Sequence, residues 1–452
     1  MRRSRSTPTT TRSHRDPARP HRPPVDVYLM PAIVGGGRGD VEEVLLVGRA
    51  LARRGHRVLI ARSRPLPLLQ DRSLDWTGIV RVPRPTPRAA KAVTISSQFG
   101  VTASDARPGP LGAAGPWAVE RAAIDRAYGP DRVLHVSLEE FQRGRPARYL
   151  AEERYREGGR TARSRQSMRS SRAFRQEVAE FVRLYRKFRA FDVSDLLTIF
   201  PSFLPSRTFG REFPESVQSG PLWPEPLGHR RQRSPRGPVR VLWYASPSTS
   251  DRLAPRLLRA LGAQPRPVEL TVRSPRPLPL TPPRNVAILA PTARSPSAWQ
   301  RTWAGTDFAI VTGTRSLLEA IRWGVPFLYF NGILGRGAAA RRHRPEKIEG
   351  LVEFLRRSGV APALRRDLAQ FSRLQGLEAI VARSLAGRPP LPGSFPRQVA
   401  RGFPPPFGDG ITTVADLVQR FAAGRGGARA LVREVRAESR RRPARAGSVS
   451  KV

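Results

Sequence analysis

The sequence contains no cysteine, and only four of its 80 basic residues are lysines, which leaves 76 arginines. Without cysteine, disulfides, thiolate nucleophiles and cysteine-ligated zinc are excluded. This absence fits a reducing compartment, and we expect a cytoplasmic protein. No apolar run approaches the roughly 18 residues that a bilayer-spanning helix needs. At 452 residues the chain is long enough for two domains with separate cores.

Acidic residues are also scarce, since 36 of them face the 80 basic ones and leave a formal net charge of +44. Residues 1–24 and 423–452 carry +13 of this charge, and the other +31 is spread over the body of the chain. Such a spread, with arginine in place of lysine, is typical of the bias that a GC-rich genome imposes. It argues against nucleic acid as the partner, while a polyanion or an anionic membrane stays open.

Strand-like and helix-like segments alternate through most of the chain. The first half has apolar runs at 25–34, 57–61, 79–82, 93–96, 133–136 and 196–200 and helical patterns at 40–54 and 166–191. The second half has apolar runs at 239–245, 268–272, 286–289, 308–311 and 327–330 and helical patterns at 253–261, 317–323, 348–357, 364–385 and 412–422. Such alternation predicts an α/β protein whose sheets are mostly parallel.

Prolines, glycines and runs of arginine indicate the domain boundaries. Residues 224–238, for example, have the composition of a linker. The predicted organisation is a disordered basic tail at 1–24, an N-terminal Rossmann-like domain at 25–223, a linker at 224–238, a C-terminal Rossmann-like domain at 239–388, a loop and terminal helix at 389–424, and a basic tail at 425–452.

Two glycine-marked turns lead from a strand into a helix. The first turn consists of Gly35, Gly36, Gly37, Arg38, Gly39 and Asp40, and the second begins with Gly313, Thr314, Arg315 and Ser316. A glycine turn at the carboxyl end of a strand lets backbone N–H groups and the positive end of a helix dipole face a phosphate. Two such turns predict two Rossmann-like, doubly wound domains that face a central cleft.

The residues around these turns resemble the GT-B glycosyltransferases, in particular the sterol, antibiotic-aglycone and MurG-like branches. The resemblance is carried by residues 35–58, by the T-G-T-R-S-L-L-E-A-I-R-W-G-V-P-F-L-Y stretch at 312–329, and by S-G-P-L-W-P-E at 219–225. It implies a metal-independent enzyme without a cofactor that transfers a sugar from a nucleoside diphosphate, UDP- or dTDP-linked, to a hydroxyl acceptor. The N-terminal domain would receive the acceptor and the C-terminal domain the nucleotide sugar.

The resemblance also implies roles for single residues. Asp40 would be the general base that takes the acceptor proton, and Glu319 would accept hydrogen bonds from the nucleotide ribose. Residues 35–39 would form an acceptor and phosphate loop. Ser246, Gly313, Thr314, Arg315 and Ser316 would bind the donor together with Glu319. Two structural alternatives stay open, because Asp40 and Glu43 also fit a capping box and Glu319 also fits a first-turn helix acid.

Two positions depart from the family pattern. Val311 stands where the branch acting on small lipophilic acceptors usually has a histidine, eight residues before Glu319. The Asp-Gln pair that often contacts the donor sugar is replaced by residues 331–334, Asn-Gly-Ile-Leu. The sequence therefore does not identify the sugar.

Three other classes of protein also fit parts of this sequence. The three glycines at 35–37 could form the phosphate-binding turn of an NAD site. In such a site an acidic residue at the end of the second strand binds the ribose, but here Arg62 follows that strand. A non-hydrolysing sugar-nucleotide epimerase would have the same fold, and so would a non-enzymatic nucleotide- or polyanion-binding protein. Residues 141–190 combine a local charge of +10 with several aromatics, which would suit an anionic lipid surface or a lipid-linked acceptor.

Overall fold

The computed structural model describes residues 25–31, 39–62, 67–71, 74–97, 117–138, 171–172, 175–176, 196–201, 216–223, 237–245, 250–274, 280–289, 295–330, 332–333, 342–343, 351–352, 355, 362–372, 375–385 and 409–441. The tail predicted at 1–24, nearly all of the helix predicted at 166–191 and most of the linker predicted at 224–238 lie outside these residues. No described helix is long and apolar enough to cross a membrane.

The first domain contains a parallel sheet of seven strands. They are β1 Asp26–Met30, β2 Arg57–Ala61, β3 Ile79–Val82, β4 Ala92–Ser97, β5 Val133–Leu138, β6 Leu196–Pro201 and β7 Ser216–Ser219. Helices α1 Gly39–Arg53 and α2 Ala118–Tyr128 belong to the same domain. The strand order β3-β2-β1-β4-β5-β6-β7 is the Rossmann order with one strand added at the end.

The second domain repeats this order with five strands, β10-β9-β8-β11-β12. They are β8 Val239–Tyr244, β9 Val268–Arg273, β10 Val286–Leu289, β11 Phe308–Val311 and β12 Phe327–Tyr329. The helices are α3 Ser250–Gly262, α4 Pro296–Gly305, α5 Thr314–Trp323, α6 Pro362–Ser372 and α7 Leu377–Leu385. A short antiparallel pair, β13 Gly332–Ile333 and β14 Arg342–His343, forms a third sheet.

Each sheet has its own hydrophobic core. All residues of β1 and β11 are buried, which is why the central strands read as continuous apolar runs in the sequence. The predicted fold class is confirmed, since two Rossmann-like, doubly wound parallel-sheet domains make up a GT-B architecture.

Two helices after residue 409 pack on the first domain, although they follow the second domain in sequence. They are α8 Gly410–Ala423 and α9 Ala428–Arg441. Phe421 of α8 and Val432 of α9 are buried in the core of the first domain. The C-terminal end of the chain therefore links the two domains a second time, in addition to the segment between β7 and β8.

The structure corrects two expectations. The basic tail predicted at 425–452 contains helix α9, because Ala428, Leu431, Val432 and Val435 repeat at helical spacing and are buried on the first domain. The single helix predicted at 364–385 is divided into α6 and α7. Gly376, between them, has a φ of 57°, a left-handed conformation in which a right-handed helix does not continue.

Lys91, one of the four lysines, holds the C-terminal helices on the first domain. Its Nζ donates hydrogen bonds to the carbonyl oxygens of Phe421 at 2.8 Å, Gly424 at 2.5 Å and Gly426 at 3.2 Å. The last carbonyls of a helix have no partner within the helix and carry the negative end of its dipole. An ammonium has three donors on one atom, so Lys91 can satisfy three converging carbonyls at once.

We expect Lys91→Arg to lower the free energy of unfolding by about 1–2 kcal/mol, although it keeps the charge. A planar guanidinium cannot place three donors at one point among these carbonyls. Chemical denaturation of the wild type, Lys91→Arg and Lys91→Met measures the effect, and Lys91→Met should lose more. Equal stability of the wild type and Lys91→Arg would show that only the charge matters.

Gly410, the first residue of helix α8, is packed closely against Gly220 and Pro221 in the segment that joins the domains. Asp409 caps the helix, its carboxylate accepting from Ile411 N at 3.1 Å, and Gly410 N donates to the carbonyl oxygen of Pro221 at 2.9 Å. A Cβ on Gly410 would lie 2.5 Å from the carbonyl oxygen of Gly220. Since that neighbour is backbone, a side chain here would force the junction and the helix apart.

Gly410→Ala should therefore lower the free energy of unfolding by about 1–3 kcal/mol, as overpacking usually does. Gly305→Ala is the matched control, because the nearest atom to its added Cβ, Arg240 Nη1, is 3.8 Å away. Thermal unfolding of both variants gives the comparison. The close approach would be refuted if Gly410→Ala were no less stable than the control.

Candidate functional site

The two helices that follow the glycine turns, α1 and α5, contact each other across the domain boundary. Helix α1 follows β1, which lies between β2 and β4, and α5 follows β11, which pairs with β8 and β12. These are the places where the strand order of each sheet reverses. Doubly wound sheets bind ligands outside the carboxyl ends of such strands. The structure thus brings together the two helices that follow these strands.

Polar contacts fix the second turn at the end of its strand. Gly313 N donates to Ser316 Oγ at 3.2 Å, and Ser316 Oγ donates to the carbonyl oxygen of Gly313 at 3.0 Å. Thr312 Oγ1 donates to the carbonyl oxygen of Tyr244 at 3.2 Å, which ties the turn to the end of β8. The first turn of α5 is therefore held at the carboxyl edge of the sheet.

Glu319 lies in the second turn of α5 and is buried, with only 4% of its surface exposed, so it is not the solvated first-turn acid that the sequence left open. Its Oε2 accepts hydrogen bonds from Trp303 Nε1 at 3.0 Å and from Tyr244 OH at 3.2 Å. Its Oε1 lies 3.6 Å from Arg315 Nε. Two donors are thus directed at Oε2, while Oε1 faces the guanidinium of Arg315.

An aromatic cluster surrounds this carboxylate. Trp299 meets Tyr244 edge-on with 5.2 Å between ring centroids, and Trp303 stacks on Tyr244 at 6.3 Å. The guanidinium carbon of Arg273, at the end of β9, lies 4.2 Å from the Trp299 ring centroid. Arg273 Nη1 also donates to Tyr244 OH at 2.9 Å. The cluster holds this guanidinium in place by stacking and by a hydrogen bond.

Glu42 connects this cluster to the other domain. It lies on α1, two residues after Asp40, and its Oε1 is 3.5 Å from Arg273 Nη2. Its Oε2 is 3.6 Å from Arg315 Nε. One carboxylate of the first domain is therefore shared by two arginines of the second.

Burial and neighbouring charges shift the pKa values of Glu319, Tyr244 and Arg273. It raises the pKa of Glu319, while the positive charge of Arg315 opposes that rise. Burial likewise raises the pKa of Tyr244 far above its usual value, and nearby Glu319 adds to the rise, so the hydroxyl stays protonated and can donate. For Arg273, burial favours a lower pKa, but Tyr244, Glu42 and Glu319 outweigh it and raise the pKa. Arg273 therefore stays cationic.

The structure places only part of the predicted site. Arg315, Ser316, Gly313 and Glu319 lie together at the start of α5, and Gly39, Asp40 and Thr314 begin their helices. The side chains of Asp40 and Thr314 are not described. Gly35, Gly36, Gly37, Arg38 and Ser246 lie outside the described residues. The functional roles of all the predicted site residues remain predictions. Among the described residues no group of histidine and acidic side chains could hold a metal ion.

Five residues of the site were not predicted from the sequence, namely Glu42, Tyr244, Arg273, Trp299 and Trp303. Trp299 and Trp303 are four residues apart on α4, a spacing that places two large rings on one helix face and could have indicated a cluster. Nothing in the local pattern distinguishes Glu42 or Arg273 from the many other charged residues of the chain.

No protein-family model matches the sequence, and no curated protein matches it. Among solved structures, the calicheamicin glycosyltransferase CalG4 is 17% identical, with 88% of this chain and 98% of that chain covered and a TM-score of 0.41. VinC, a glycosyltransferase in complex with dTDP, is 14% identical, with 88% and 99% covered and a TM-score of 0.39. MurG of Acinetobacter baumannii is 15% identical, with 88% and 100% covered and a TM-score of 0.38. Because these TM-scores are below 0.5, the GT-B assignment rests on the strand orders of the two sheets.

We expect Glu319→Ala to lower the free energy of unfolding by about 2–4 kcal/mol. The indole N–H of Trp303 and the hydroxyl of Tyr244 would lose their buried acceptor. Glu378→Ala is the control, because the ion pair of Glu378 with Arg256 is partly exposed and should be worth only about 1 kcal/mol. Chemical denaturation separates the two, and equal losses would contradict a buried structural role for Glu319.

Proposed function

We propose that this protein is a glycosyltransferase that moves a sugar from a nucleoside-diphosphate sugar to a hydroxyl acceptor. The observation that supports it best is the contact across the domain boundary between α1 and α5, the helices that follow the two glycine turns. Each helix begins at the carboxyl end of a strand beside the reversal of strand order. Helix N-termini at such positions favour phosphate groups.

On this proposal the donor, UDP- or dTDP-linked, binds to the second domain. The backbone N–H groups at the start of α5 and the guanidinium of Arg315 would meet the diphosphate, and Glu319 Oε1 would accept a ribose hydroxyl. When the bond between sugar and diphosphate breaks, negative charge develops on the departing phosphate oxygen. The helix dipole and the guanidinium would stabilise that charge, so the chemistry needs no metal ion.

The acceptor would bind to the first domain, near the start of α1. There Asp40 would take the proton of the acceptor hydroxyl as its oxygen attacks the anomeric carbon. We further propose a cytoplasmic enzyme with an acceptor that is attached to a lipid. Peripheral contact with anionic lipid would come from the basic segment 141–190, most of which lies outside the described residues.

Thermal unfolding with a panel of UDP-, dTDP- and GDP-sugars tests donor binding, because a ligand that binds only the folded state raises its stability. Turnover is then measured with the stabilising sugar and a panel of hydroxyl acceptors. Epimerisation of the free nucleotide sugar without an acceptor would identify an epimerase instead. Binding to polyanions of any kind without nucleotide binding would contradict an enzyme of either class.

Asp40→Asn should reduce turnover by about 10²- to 10⁴-fold while the donor affinity stays the same, because asparagine can cap a helix but cannot accept the proton. Asp409→Asn is the matched control, since Asp409 caps α8 through its bond to Ile411 N. This control should leave turnover unchanged. Near-normal turnover of Asp40→Asn would leave only a structural role for Asp40, in the first turn of α1.

A further inference from the structure

The carboxylate of Glu42 lies between two arginines that belong to the other domain. Arg273 Nη2 is 3.5 Å from Glu42 Oε1, and Arg315 Nε is 3.6 Å from Glu42 Oε2. The three side chains are largely shielded from solvent, with exposed fractions of 20% for Glu42, 23% for Arg273 and 12% for Arg315. Water therefore screens their charges only weakly.

These contacts are loose for ion pairs. A charge-assisted hydrogen bond between a guanidinium and a carboxylate is usually about 2.7–2.9 Å long. Within the described part of the chain, Nε and Nη1 of Arg315 are buried and have no hydrogen-bond partner. Buried donors without an acceptor cost free energy. The guanidinium of Arg315 therefore has hydrogen-bonding capacity that neither Glu42 nor Glu319, whose Oε1 is also 3.6 Å from Arg315 Nε, uses.

We propose that Arg273 and Arg315 form one anion site, that Glu42 occupies it in the unliganded protein, and that the diphosphate of a ligand displaces Glu42. The identity of the ligand rests on the proposed function. A diphosphate carries more negative charge than a carboxylate and offers more acceptor oxygens to two guanidinium groups. It would therefore satisfy donors that Glu42 leaves unpaired.

Displacement has an energetic consequence. A ligand must first break the contact of Glu42 with the arginines, and the free-energy cost of that step lowers the measured affinity for the ligand. Removal of the carboxylate should then raise the affinity for a diphosphate. Because Glu42 and Asp40 lie on the first turn of the same helix, displacement of Glu42 would also release the start of α1 from the second domain. Donor binding would in this way affect the acceptor side of the site.

Isothermal titration of inorganic pyrophosphate, and separately of UDP, into the full chain tests the inference. Glu42→Gln should bind pyrophosphate roughly 5- to 150-fold more tightly than the wild type, the usual range of coupling between sites. Arg273→Gln should bind at least about tenfold more weakly, because a charged hydrogen-bonding partner is lost. Glu378→Gln, which removes an acid of the second domain that pairs with Arg256 rather than with Arg273 or Arg315, should bind as the wild type does.

A double variant shows whether Glu42 acts through the arginine. With Arg273→Gln already present, Glu42→Gln should raise the affinity much less than it does alone. A full effect in the double variant would mean that Glu42 acts only through overall charge, and would overturn the inference. Thermal unfolding checks that each variant is folded, and Glu42→Ala replaces Glu42→Gln if the latter is not.

The outcomes separate this inference from the proposed function. Equal pyrophosphate affinity in the wild type and Glu42→Gln, or no pyrophosphate binding in either, would overturn the displacement of Glu42. Glycosyl transfer would still be judged by turnover of a nucleotide sugar. Tighter pyrophosphate binding in Glu42→Gln without any such turnover would support the anion site and contradict the proposed function alone.

Discussion

One buried carboxylate, that of Glu319, is the constraint that organises the strand ends of the second domain. A carboxylate removed from water has to be surrounded by donors and positive charge. Trp303 from α4, Tyr244 from β8 and Arg315 from α5 meet this requirement, so three elements are held in fixed relation. The rings assembled in this way then support Arg273 from β9. The position of the cationic pair is thus a consequence of how Glu319 is buried.

The two links between the domains differ in kind. At the C-terminal helices the link is apolar and well packed, with α8 and α9 buried in the core of the first domain and Gly410 in close contact with the junction at Gly220. At the candidate site the link includes loose ion pairs between Glu42 and two arginines. Ion pairs can be exchanged for a ligand, whereas a packed core cannot. The fold therefore combines a permanent connection with one that a ligand can replace.

The parts of the fold that could be predicted from the sequence are those determined by local pattern. Central strands such as β11 are buried on both faces, so they appear as unbroken apolar runs before glycine turns. Strand β7 was missed because its sequence, Ser-Val-Gln-Ser, has little apolar character, and α9 was missed because arginines surround its apolar stripe. Glu42 and Arg273 could not be predicted, since their contact depends on how two separately folded sheets are placed.

Two positions, Arg273 and Lys91, show why the protein uses arginine at one place and lysine at another. Arg273 stacks on a tryptophan while it contacts a tyrosine and a carboxylate, which requires a planar group with several separated donors. Lys91 serves three carbonyls that converge on one point, which requires a compact ammonium. At exposed positions either basic side chain would serve, so the number of arginines there says little about the partner. The overall charge of +44 is therefore weak evidence about the partner, and the buried pair of Arg273 and Arg315 is the stronger evidence for an anionic ligand.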